Sequence, residues 1–89
     1  MMEGTLEITN ERGFHARAAS KFVHLASSFN SSIKLAKGTV EVDGKSILGI
    51  LLLQAAQGTE IKLRVSGDDE QEAYRQLSEM ISSRFGEEN

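Results

Sequence analysis

The chain has 89 residues, 39 % of them hydrophobic and 26 % charged, with no cysteine and a formal net charge of -3. That length suits one small domain spanning 1–89, and this composition is that of a folded globular protein; disulfide frameworks and thiolate metal sites are excluded. The longest apolar run, Ile47–Leu53, falls far short of the roughly 20 residues needed to cross a bilayer, and the opening "MMEGTLE" lacks the basic and apolar segments of a secretory signal, so a cytoplasmic protein is expected. Residues 10–50 carry six Lys/Arg against three Asp/Glu, whereas residues 51–89 carry four against eight. A basic front half on an acidic chain argues against general nucleic-acid binding and suits a phosphate or an acidic protein partner.

In chain order, "TLEITN" alternates Leu6 and Ile8 inward with Glu7 outward, predicting a first strand that ends at the turn residues Asn10 and Gly13. From His15 or Ala16 onward, Ala19, Phe22, Val23, Ala26 and Phe29 recur at helical spacing, with Arg17, Lys21, His24 and Ser28 on the other side. "SIKLA" and "TVEV" read as an antiparallel hairpin about Lys37–Gly38, with Ile33, Leu35, Val40 and Val42 inward. "ILGILLL" fits a buried strand or a short helix on periodicity alone; Ser46, a good N-cap, and the leucines favour a helix. Such a helix turns Ile47, Leu48 and Leu51 to a shared, exposed side and Ile50 and Leu53 to the core, while Gly49 suggests close approach of another backbone. "TEIKLRVSG" alternates Ile61, Leu63 and Val65 inward as the last strand. A final helix carries Ala73, Leu77, Met80 and Ile81 as its apolar stripe, with Asp68, Asp69, Glu70 and Glu72 complementing its dipole, Arg84 near its end and Gly86 as its stop. The order βαββαβα predicts an α+β two-layer sandwich, a four-stranded sheet covered on one face by three helices.

The chemistry concentrates at "GFHARAAS", Gly13–Ser20. A helix starting at Ala16 puts His15 at its N-cap, a position that favours Ser, Thr, Asp or Asn, so the histidine calls for an explanation other than helix stability. A neutral imidazole is a nucleophile near neutral pH and can carry a phosphoryl group. The backbone amides of Ala16, Arg17 and Ala18 and the positive end of the helix dipole would form an anion site beside it, and the Arg17 guanidinium would add a cation that bonds two phosphate oxygens. No nucleotide-binding motif is present, so the phosphoryl donor would be another protein, and no cofactor or metal is expected. On these residues alone, a solvent-facing turn histidine next to a solvated arginine remains the alternative.

Over residues 4–86 the chain resembles the histidine-containing phosphocarrier family, HPr, of the bacterial phosphoenolpyruvate-dependent phosphotransferase system. The resemblance rests on "GFHARAA" against the pattern G-hydrophobic-H-A-R-P-A, on "GKSILGI" against the family's regulatory-serine segment, on their spacing and on the order βαββαβα. It implies that His15 accepts a phosphoryl group at Nδ1 from enzyme I and passes it to an enzyme IIA component, with Arg17 stabilising the group, in sugar uptake or its regulation. It implies an open-faced β-sandwich and a carrier, not a stand-alone turnover enzyme. It marks Ser46 as the target of an HPr kinase/phosphorylase, and it implies a partner surface made of Arg17, Ser20, Lys21, His24, Lys45, Ile47, Leu48 and Leu51. The opening "EITNERGFHAR" and the ending "SSRFGEE" resemble the nitrogen-related branch; the alternative to phosphotransfer is a regulatory binding module, of that branch or a catabolite-repression cofactor, that engages a transcriptional regulator or an enzyme mainly through Ile47, Leu48 and Leu51. A ferredoxin-like ligand-binding domain would share the strand order and leave His15 unexplained. Ala18 departs from the family, which has proline there.

Overall fold

The computed structural model describes residues 1–87. Its elements are β1 (Met2–Glu7), α1 (Ala16–Ala26), β2 (Ser32–Lys37), β3 (Val40–Asp43), α2 (Ile47–Leu52), β4 (Glu60–Ser66) and α3 (Glu70–Ser82), followed by a 3-10 turn at Arg84–Gly86. The order βαββαβα is the one the periodicity predicts. The strands form one antiparallel sheet in the order β1-β4-β2-β3. Period-two alternation puts Ile33, Leu35, Ile61, Leu63 and Val65 on one face, where they are buried against Ala18, Ala19 and Phe22 of α1, Ile50 of α2 and Ala73, Leu77 and Ile81 of α3. Phe22, completely buried at the centre, alone contributes about 1.5–3 kcal/mol of transfer free energy. The opposite face is charged: cross-strand pairing brings Glu3, Arg64, Lys34 and Asp43 into one row, and Arg64 bridges Glu3 and Glu41.

Several local expectations shift. β1 runs from Met2 to Glu7 and not to Asn10, because Ile8 leaves the strand ladder, exchanging backbone bonds with Thr59 and Gly58 instead. The hairpin loop is Gly38–Thr39, with Lys37 paired to Val40. Val40 is exposed, since β3 is a four-residue edge strand whose far end no helix covers. Phe29 lies beyond the end of α1 and is half-buried, and Arg84 lies in the 3-10 turn and not in α3. Gly49 accommodates a side chain, not a backbone: a Cβ there would sit 3.2 Å from Cβ of Val42. Asp69 occupies the α3 N-cap position without bonding its own helix; its carboxylate instead accepts from the amides of Asn30 (2.8 Å) and Ser31 (3.0 Å) and from the Ser31 hydroxyl. Those bonds hold Asp69 below the usual carboxylate range, the hydroxyl most and the Asn30 amide next.

Candidate functional site

The site is built by the loop between β1 and α1. Gly13 adopts φ 67°, and a Cβ at this position would stand 2.6 Å from the carbonyl oxygen of Ala55, so only glycine lets the loop pass beneath the α2–β4 connection. Phe14 follows, its N–H donating to that same Ala55 oxygen at 2.8 Å and its ring packed against Phe22 and Phe85 with centroids 5.6 and 4.9 Å apart. With Phe14 anchored, His15 emerges in extended conformation (φ -80°, ψ 179°) as the N-cap of α1. Its Nδ1 accepts from the backbone N–H of Arg17 at 3.2 Å, the cap bond expected from the sequence.

The other ring nitrogen has a partner that sequence reasoning missed. Nε2 lies 2.5 Å from Oε2 of Glu87, whose Oε1 accepts from the buried Asn10 side-chain amide at 3.0 Å. Asn10 gives its second amide hydrogen to the carbonyl of Gly13 at 2.8 Å, tying loop and tail together. Upstream of Glu87, the Phe85 carbonyl accepts from the Lys21 ammonium at 2.9 Å. The bonds from His15 and then Asn10 hold the Glu87 carboxyl below the usual range, and Arg12 adds a smaller effect through space. Glu87 stands five residues after the end of α3, where no periodicity operates; an aromatic residue followed closely by an acid in the tail was the only available signal.

The expected site residues separate into groups. His15, Ala16, Arg17, Ser20 and Lys21 share the N-terminal half of α1; Arg17 is exposed and, among the described residues, has no ion-pair partner. Ala18 is completely buried, which leaves Ala16 and Arg17 as the first-turn amides at the surface. His24 is exposed and joins Ser20, Lys21, Leu25 and Met80 around a shallow groove between α1 and α3. Ser46 caps α2, its hydroxyl accepting from Gly49 N–H at 3.0 Å. Lys45 beside it spends its ammonium on the carbonyl of Phe29 at 2.8 Å and is half-buried, so it does not rim the surface as a free cation. Because the chain after α2 meets Phe14 while the Lys45 side chain reaches Phe29, Ser46 lies toward the C-terminal end of α1, away from His15. The exposed apolar patch of α2 is Ile47, Leu48 and Leu52, at 40, 75 and 74 % exposure; Leu51, expected on that patch, is half-buried against the core.

A small two-layer domain that displays an imidazole at a helix N-terminus, beside an exposed arginine, has the parts of a phosphoryl acceptor. The family model described as "PTS HPr component phosphorylation site" matches residues 2–83. The chain is 46 % identical over 87 residues to the phosphocarrier protein HPr of Neisseria meningitidis serogroup A, covering 98 % of each chain, and 46 % identical over 88 residues to that of Xylella fastidiosa Temecula1, covering 99 % of each. Among solved structures, HPr-C-His from Thermoanaerobacter tengcongensis superposes with a TM-score of 0.96 at 48 % identity over 100 % of both chains. The chain belongs to the HPr family of phosphotransferase-system phosphocarriers. Its fold is accordingly the open-faced α+β sandwich of that family, and among the described residues no helix is long and apolar enough to cross a membrane.

Proposed function

We propose that His15 accepts a phosphoryl group at Nδ1 from phosphorylated enzyme I and delivers it to an enzyme IIA component, in sugar uptake or its regulation, in the cytoplasm. The observation that carries this reading is the bond from the Arg17 N–H to Nδ1: a backbone N–H can only donate, so Nδ1 holds a lone pair at the positive end of α1. As Nδ1 forms its bond to phosphorus, the Arg17 amide loses its acceptor and turns to a phosphoryl oxygen, with the Ala16 amide and the Arg17 guanidinium at hand for the others. Phosphoryl transfer asks chiefly for such positioning and charge stabilisation, which a domain of this size can supply. The exposed Ile47, Leu48 and Leu52 supply a docking patch for the protein donor and acceptor.

Ser46 is the control point in this reading, modified by an HPr kinase/phosphorylase. A phosphate there adds about two negative charges on the face that docks, repelling an acidic partner. The same patch supports a second reading, engagement of a transcriptional regulator. The test is incubation with phosphoenolpyruvate and enzyme I: wild type gains one acid-labile phosphoryl group, His15→Ala gains none, and Ser46→Asp gains it more slowly. Labelling that persists in His15→Ala overturns the acceptor assignment, and an unchanged rate in Ser46→Asp overturns the regulatory one.

A further inference from the structure

The contact between His15 and Glu87 joins groups 72 residues apart, and phosphoryl acceptance as described above makes no use of it. Two bonds locate the proton on the ring. Nδ1 accepts from Arg17 N–H and so carries none; Nε2, facing an ionised carboxylate at 2.5 Å, is the nitrogen that donates. The carboxylate is itself fixed at several points. Asn10, wholly buried, holds its other oxygen; Phe85 is buried against Phe14; the Lys21 ammonium holds the Phe85 carbonyl.

Resting on the reading of His15 as the phosphoryl acceptor, we propose that Glu87 is a positioning residue for both halves of the transfer: it keeps the ring proton on Nε2 and balances the charge that the ring acquires. In acceptance, the Nδ1 lone pair forms the bond to phosphorus while the bond from phosphorus to the donor atom breaks, its electron pair leaving with that atom. The ring, still protonated at Nε2, becomes an N-phosphoimidazolium whose positive charge lies against the Glu87 carboxylate. In delivery, the electrons of the N–P bond return to Nδ1. Because the proton has stayed on Nε2, the leaving group is a neutral imidazole and not an imidazolate. A carboxylate performs the same tautomer-setting and charge-balancing task for the histidine of hydrolytic triads.

Glutamine is the informative replacement. A carboxylate serves Asn10 and His15 with separate oxygens; glutamine has one, and when Asn10 takes it the amide NH2 faces Nε2 and demands the opposite tautomer. Phosphoramidate, whose P–N bond breaks to release ammonia, loads histidine without a docking protein, so it reads the chemistry of the ring apart from partner affinity. The full chain as wild type, Glu87→Gln, Glu87→Asp and His15→Ala is loaded with phosphoramidate and followed by phosphorus NMR, with nitrogen NMR of the unphosphorylated ring in parallel. The expected result is loading slowed about ten- to hundredfold in Glu87→Gln and less in Glu87→Asp, with an Nε2–H tautomer in wild type that is lost in Glu87→Gln. A merely structural tail would leave the tautomer unmoved. Equal loading of wild type and Glu87→Gln, or the same tautomer in both, overturns the role of Glu87 while the acceptor assignment stands; label retained in His15→Ala overturns both.

Discussion

Replacing Gly13 by alanine tests whether the loop before α1 is what presents His15. At φ 67°, an L-residue costs about 1–2 kcal/mol. The new Cβ would lie 2.6 Å from the Ala55 carbonyl oxygen and 2.9 Å from Cα of Ala56, both backbone atoms that cannot rotate aside. Moving them out to about 3.4 Å displaces the α2–β4 connection by up to about 0.8 Å, an overpacking cost of about 1–3 kcal/mol. The displaced oxygen is the acceptor for Phe14 N–H, and weakening that bond adds about 1 kcal/mol. The total, about 3–6 kcal/mol, is a large share of the stability of a domain this small. With a urea m-value near 1 kcal/mol/M, the midpoint of unfolding should fall by about 3 M or more, and in the protein that remains folded the Phe14 amide should lose hydrogen-exchange protection and phosphorylation of His15 should slow. A loss below about 1 kcal/mol with the Phe14 amide still protected would refute this reasoning.

Ala18→Pro should leave stability within about 1 kcal/mol, because the Ala18 N–H has no acceptor among the described residues and proline suits a first helical turn; His15 should still be phosphorylated, and complete loss of transfer would show that the Ala18 amide is needed after all. Leu48→Lys should change stability by less than about 0.5 kcal/mol yet weaken binding of enzyme I in a titration, whereas Leu51→Lys should cost about 2 kcal/mol of stability; the reverse ranking would restore Leu51 to the exposed patch. Asp69 has a folded-state pKa below its ordinary value of 3.8, so its contribution is present above that pH and is lost as pH falls through the lower folded value. The stability gap between wild type and Asp69→Asn, measured by urea unfolding across an acid series, should therefore be open at neutral pH and narrow below about 3.8; a constant gap would exclude ionisation of Asp69 as the cause.

What could be read from residue order was what short-range geometry encodes. Alternation in "TEIKLRVSG" marked the buried face of β4, helical spacing from Ala19 to Ala26 marked the core side of α1, and His15 before Ala16 marked the cap whose Nδ1 bond is present. Each depends on neighbours within about four residues, the range over which strand pleat and helix pitch repeat. Tertiary structure decided the rest. Whether Leu51 or Leu52 faced solvent turned on how the single turn and a half of α2 docks on β3 and α1, a rotation that a six-residue helix does not declare. Lys45 looked like a free surface cation until the end of α1 offered it the Phe29 carbonyl. The acid that completes the site, Glu87, reaches His15 only because Phe85 is buried beside Phe14 and folds the tail back across the start of α1. Sequence singled out His15 as the candidate acceptor at the start of a helix; packing between distant segments, which no local period records, decided which carboxylate holds that ring.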